Sequence, residues 1–325
     1  MRNQMFPGSF PIAPSLDLRS MLRAHIVRRC TAALKDGETR RQQAVADGAW
    51  DEAKEEIRSI VAGAFGKMPF GKSGGALNAR VTSSFEREHY RVENVLFESL
   101  PGWEVNGSVY LPREGDGPWP GVVVPVGHSG KQFESYQIPA QVFARCGYVA
   151  ITFDPPGQAS EKQQGNDHFR DGVRCYLTGH SSNRYFVIDA LRCIDYLESR
   201  EDVNTTGGVA MTGVSGGGVT SAFAALFDDR IAVLGPSCCM APMAAHPVQD
   251  GYGTCPEPLF PGRIAHGIDS IDLLAAAAPV PILLMAGEED EVFHVEETEQ
   301  LARRVQEIYD ATGLGDRYQF LVDQS

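Results

Sequence analysis

The sequence predicts an α/β fold: a mostly parallel central sheet with helices on both faces, preceded by an N-terminal helical extension. Three observations predict it. Short apolar runs at 121–126, 148–153, 209–213 and 281–286 alternate with segments of helical spacing, the pattern of parallel strands joined by covering helices. Period-two alternation near residues 90–111, around the turn Leu100-Pro-Gly-Trp103, adds antiparallel strands. A Gly-x-Ser-x-Gly frame, Gly213 to Gly217, joins one apolar run directly to a helix-like segment at 219–227.

Taken in order, residues 1–14 are rich in Pro and Gly and read as extended surface chain. Helical spacing follows from Leu16 to about Leu34 (Leu18, Met21, Leu22, Ile26, Ala33) and again over 50–65 (Trp50, Ile57, Val61, Phe65), with a polar linker between. These apolar faces are too few to form a core of their own, so residues 1–80 read as an extension packed on a domain spanning 81–325. The run at 121–126 ends in Gly127-His-Ser-Gly-Lys131, and helical spacing returns at 138–146 (Ile138, Val142, Phe143) before the strand at 148–153. Residues 155–182 are polar with little periodicity, and a stretch of that length is expected to be functional or unstructured. A helix at 185–198, the strand into Gly213, a short strand at 231–234, an irregular stretch at 236–267, the strand at 281–286, a helix through Leu301, Val305 and Ile308, and a last strand at 318–322 complete the chain.

Composition narrows the function. A formal charge of −13 argues against nucleic acid or an anionic membrane surface as partner. The seven cysteines are scattered, with no Cys-x-x-Cys pair, so no metal site and no disulfide framework is expected. The N-terminus lacks the apolar core of a signal peptide, and no 18-residue apolar run occurs. The expectation is a soluble, cytoplasmic protein without cofactor.

Chemistry centres on Ser215. A turn between a buried strand and a helix crowds the backbone around its serine, and Gly213 and Gly217 stand where a Cβ would be in the way. The frame is not a phosphate-binding loop, because Val219 stands where that loop needs Lys, nor a dinucleotide fingerprint, which needs Gly in place of Ser215. Active sites in such sheets gather at the C-terminal ends of strands, where Ser215, Asp290 and the 127–131 loop all fall. Ser215 is then the nucleophile, Asp290 the carboxylate orienting a histidine, and the backbone N–H groups of Gly216 and of His128 or Ser129 the oxyanion donors. The chain order Ser…Asp…His places the base after the last strand, and no histidine follows His294, so the base is expected beyond Ser325.

An ordered set of segments resembles the acetyl xylan esterase-like branch of the α/β-hydrolase superfamily. It comprises Tyr90-Arg-Val-Glu-Asn-Val-Leu-Phe-Glu-Ser99, Gly127-His-Ser, Tyr136-Gln137, Asp154-Pro-Pro-Gly-Gln158, Asp195-Tyr-Leu, Gly213-Val-Ser-Gly-Gly-Gly218, Asp229-Arg230, Pro236-Ser-Cys238 and Gly287-Glu-Glu-Asp290. The resemblance implies the α/β-hydrolase fold, Ser215 as nucleophile, Asp290 as triad acid, and a histidine in a Gly-His pair after the strand at 318–322. It departs at 158–161, Gln-Ala-Ser-Glu in place of the branch's Gln-Gly-Glu-Arg. A serine carboxylic ester hydrolase acting on a small-molecule or carbohydrate ester is the expected function. A peptidase or a lactone or C–C hydrolase on the same fold, or a catalytically silent relative that binds a ligand, are the alternatives.

Overall fold

A computed structural model describes residues 20–157, 168–243 and 255–324. The expectations for residues 1–14 and for the loop at 158–161 lie outside these described residues. In chain order the elements are α1 (Met21–Ala46), α2 (Trp50–Phe65), β1 (Arg80–Glu86), β2 (Tyr90–Leu100), β3 (Trp103–Pro112), β4 (Trp119–Pro125), α3 (Glu134–Arg145), β5 (Val149–Phe153), α4 (His168–Leu177) and α5 (Asn183–Glu198). After them come β6 (Val203–Asn204), β7 (Val209–Val214), α6 (Gly216–Ala224), β8 (Ile231–Ser237), α7 (Ser270–Ala275), β9 (Ile282–Gly287), α8 (Val295–Ala311) and β10 (Tyr318–Asp323).

One sheet runs β1-β2-β3-β5-β4-β7-β8-β9-β10, with β6 paired to β4 off this path. The strands from β1 through β3 to β5 pair antiparallel, and every pairing from β5 to β10 is parallel. The parallel half needs crossovers, and α3, α5, α6 and α8 supply them. Strand β4 lies between β5 and β7, so the chain leaves it in opposite directions on its two sides. That is a topological switch point, where a crevice opens at the strands' carboxyl ends.

The α2 stripe explains why the extension belongs to the core. Val61 and Phe65 are fully buried, and the Phe65 ring lies 5.2 Å from those of Phe223 and Phe227. Burying two such side chains contributes about 1.5–3 kcal/mol each. The contact falls on α6, the helix that leaves Ser215, so α2 braces it from behind.

Two expectations change. Helix α1 continues through the segment read as a polar linker and ends at Ala46. One of its polar residues is buried with a partner: Arg41 pairs in the interior with Asp272 of α7, and Glu38 accepts from Gln42 and Arg41. The stretch at 155–182, read as aperiodic, contains α4. Its apolar residues Phe169, Val173 and Leu177 do repeat every four residues, but they are exposed, and polar neighbours obscure them in the sequence. Among the described residues no helix is long and apolar enough to cross a membrane.

Candidate active site

Strand β7 delivers its last residue, Val214, into a turn in which Ser215 adopts φ 58° and ψ −127°. A non-glycine residue held there costs on the order of 1–3 kcal/mol, so the surroundings must impose the conformation. They do so sterically. A Cβ on Gly217 would lie 2.1 Å from the Pro125 carbonyl oxygen, and one on Gly213 would lie 2.6 Å from both that oxygen and the Gly217 carbonyl carbon. Helix α6 is therefore pressed against the ends of β4 and β7, and the serine between them takes up the sharp change of direction. The Ser215 N–H donates to the Ser237 carbonyl at 2.9 Å, and its own carbonyl accepts the first helical bond, from Val219. The first-turn N–H groups of α6, beginning with Gly216, have no intrahelical acceptor, and the helix dipole makes them favourable to an anion.

The loop after β4 comes equally close. A Cβ on Gly127 would stand 3.1 Å from the Ser215 Cβ and 2.5 Å from the Tyr136 hydroxyl. The Gly127 N–H donates to that hydroxyl, though burial is the larger influence and pushes the Tyr136 phenol up. Further along the loop the Lys131 N–H donates to Asp154 Oδ1 at 2.9 Å, while Asp154 Oδ2 accepts from Asn106 at 2.8 Å. Asp154, buried at the end of β5, thus anchors the segment holding His128 and Ser129.

Asp290 follows β9 on the far side of the crevice. Its Oδ1 accepts the N–H groups of Val292 and Phe293 at 2.8 and 2.9 Å, an anchor for its own turn. Cys238 lies beside it at the end of β8; burial, and after it the Asp290 charge, push that thiol up. Among the described residues no histidine ring is hydrogen-bonded to Ser215 Oγ. A cavity of about 30 Å³ opens next to Ser215, walled by Val219, Met240, Met243, Phe293 and the Arg263 guanidinium.

The description of the acetyl xylan esterase (AXE1) family matches residues 77–241, just over half of the 325-residue chain, including the 127–131 loop and the elbow. The chain belongs to that family of carboxylic ester hydrolases. A Bacillus subtilis (strain 168) relative named "Putative hydrolase YtaP" is 24% identical over 250 residues, which cover 72% of this chain and 81% of that one. Among solved structures, Methylesterase BT1017 superimposes with a TM-score of 0.66 at 23% identity, covering 89% of this chain; the chain spans 63% of that protein's length. A glucuronoyl esterase from Solibacter usitatus gives a TM-score of 0.62 at 17% identity, with 83% of this chain and 87% of that one covered. These likenesses show the α/β-hydrolase fold. The family match ends before Asp290, so that residue's role is argued from its position alone.

The candidate site also contains groups that sequence reasoning passed over. Glu257 is buried at 3% exposure, and both its carboxylate oxygens lie 2.5 Å from where a Cβ on Gly216 would be. The glycine there is required by a carboxylate, not only by the turn. Cys255 and His128 flank it: Cys255 Sγ is 3.7 Å from Glu257 Oε2 and 3.6 Å from His128 Nε2. Burial, and then the Glu257 charge, push the Cys255 thiol up to about 12. The loop bearing Glu257 is tied down by Arg263, whose guanidinium donates to the Pro258 carbonyl and to Ser270 Oγ. Burial lowers this arginine to about 10, which leaves it charged at neutral pH. Nothing in the stretch at 236–267 signals Glu257, because Gly216 and His128, against which it lies, belong to distant parts of the chain.

Proposed function

We propose that the protein hydrolyses short-acyl esters of carbohydrate-like alcohols, with Ser215 as nucleophile. One observation carries the reading: Ser215 is a non-glycine residue at φ 58°, held at the N-terminus of α6 where the chain leaves a parallel strand. Strain of this kind persists where the surrounding structure over-determines it, and a nucleophile presented at a strand end is its familiar use.

Ser215 Oγ attacks the ester carbonyl as a histidine takes the hydroxyl proton. The oxygen, now negative, is met by the Gly216 N–H and by a second N–H from His128 or Ser129. The intermediate collapses, the alcohol leaves with the proton from the imidazolium, and water repeats the sequence on the acyl-enzyme. Asp290 orients the histidine. The family's histidine position follows β10, and the parallel register supports this: Asp323 pairs with Gly287, and the Glu288 N–H donates to the Asp323 carbonyl, so that position adjoins Asp290. The 30 Å³ cavity with its Met and Phe walls favours an acetyl group, because longer chains would have to displace packed side chains.

A series of p-nitrophenyl esters together with acetylated xylo-oligosaccharide tests this. The acetyl esters should be the best substrates, with kcat/KM falling about tenfold or more by the hexanoate. Equal rates along the series would remove the acyl-pocket assignment. No hydrolysis of any ester, with a ligand bound at Ser215, would favour the silent reading.

A further inference from the structure

His128, Cys255 and Glu257 come from two distant parts of the chain, yet their ligand atoms all lie within 4.8 Å of one another. The three edges are nearly equal: Nε2 to Sγ 3.6 Å, Sγ to Oε2 3.7 Å, and Nε2 to Oε2 3.8 Å. A tetrahedral zinc ion, with bonds of about 2.3 Å to sulfur and about 2.0–2.2 Å to nitrogen and oxygen, needs ligand edges of about 3.3–3.6 Å. The observed triangle exceeds that by a few tenths of an ångström, within the reach of small side-chain rotations. Imidazole, thiolate and carboxylate together form a donor set that suits zinc and the related borderline ions, and not magnesium or calcium. Access runs along His128, whose side chain is 38% exposed, while Glu257 and Cys255 are buried.

We propose that these three residues form a zinc-class metal site whose filling closes the active site. The Glu257 carboxylate lies against Gly216, the residue after Ser215, and Ser215, Gly216, Cys255 and Glu257 wall one cavity, so an ion held there takes up space beside the nucleophile. On binding, the Cys255 thiol gives its proton to solvent, the sulfur, the His128 nitrogen and one Glu257 oxygen each form a bond to the metal, and water takes the fourth position. No oxidation or reduction occurs. Metal entering from solution would thus act as an inhibitor held by residues of the site's own wall. The blocking role rests on Ser215 being the nucleophile; the binding does not.

Cobalt(II) titration of the metal-free 1–325 chain, followed in the near ultraviolet and visible, tests the site without any turnover. One equivalent should give a thiolate-to-cobalt charge-transfer band and tetrahedral d–d bands, both displaced by zinc. Cys255→Ser should lose the charge-transfer band although the other six cysteines remain, and Glu257→Gln, which keeps the thiol, should weaken binding by more than the ~10–100-fold that outer-shell partners contribute. Absence of the band in the parent chain, an equal band in Cys255→Ser, or unchanged affinity in Glu257→Gln would overturn the site. Blocking is read separately, by fluorophosphonate labelling of Ser215 at saturating zinc. Slowed labelling supports it and undiminished labelling overturns it. If the metal-free native protein is not labelled at all, the nucleophile assignment fails while the cobalt result still stands.

Discussion

Ser215 stands between two walls built on different principles. On the Gly127 side, backbone and side chains touch at the limits of packing: Gly127 against Ser215 and Tyr136, Gly216 against Glu257, Gly217 against Pro125. The polar groups there, Asp154, Glu257 and Arg263, are buried, and Asp154 and Arg263 are bonded to main chain. On the Asp290 side the carboxylate is half-exposed in an acidic run, and its recorded bonds run to its own turn and to Cys238. The proposed nucleophile and oxyanion donors are therefore set by long-range packing, and the proposed acid by a local turn. Changes on the first wall should cost stability and activity together, whereas changes on the second should separate them.

The largest effect belongs to the serine itself. Ser215→Ala should lower ester turnover by ~10⁴-fold or more. Ser215→Gly should be equally inactive yet melt higher than Ser215→Ala, because glycine alone relieves the positive φ. A lower melting point for the glycine variant would mean that the strain is not there.

Asp290→Asn sharpens the contrast on the other side. The amide oxygen can still accept from Val292 and Phe293, so the melting temperature should hold while kcat falls by about 10⁴. Unchanged kcat would reduce Asp290 to a turn residue. Gly217→Ala should do the reverse and destabilise by about 1–3 kcal/mol or more as its Cβ meets the Pro125 carbonyl, whereas Gly207→Ala, with open space around it, should be neutral. Equal melting temperatures for these two alanine variants would refute the steric origin of the elbow.

Smaller effects remain. Asp154→Asn weakens the hold on Lys131 and should cost up to about 10² in kcat through misplacement of the 127–131 loop, with KM little changed. A shift confined to KM would place Asp154 outside oxyanion positioning. At alkaline pH, burial holds the Tyr110 and Tyr176 phenols and the Cys255 thiol at about 12 in the folded chain. Unfolding lets them ionise at their ordinary values of 9 to 10, so the unfolded chain binds fewer protons in this window and stability falls as pH rises from about 9 to 12. Arg263, lowered to about 10, acts in the opposite sense above that pH. Melting temperatures across pH 8–11 should decline, and a flat profile would contradict the burial of these groups.

What the sequence disclosed follows the same division. The elbow was legible because its determinants, Gly213, Ser215 and Gly217, lie within five residues and obey a local steric rule. The strands were legible because burial on both faces leaves continuous apolar runs, as at 121–126. Glu257 and Cys255 were not, since their meaning comes from His128 and Gly216 across the crevice and no periodicity marks them. The continuation of α1 was hidden for a related reason: Arg41 looks solvated until Asp272 is seen beside it. Helix α4 was missed because its apolar stripe faces outward in an otherwise polar stretch.

The most direct measurement is intact-protein and peptide mass spectrometry of the native protein after reaction with a fluorophosphonate. One adduct should form, on the peptide containing Ser215, and Ser215→Ala should carry none while retaining the parent's circular dichroism. An adduct on any other residue, or an adduct that survives Ser215→Ala, would contradict the assignment of Ser215 as the nucleophile.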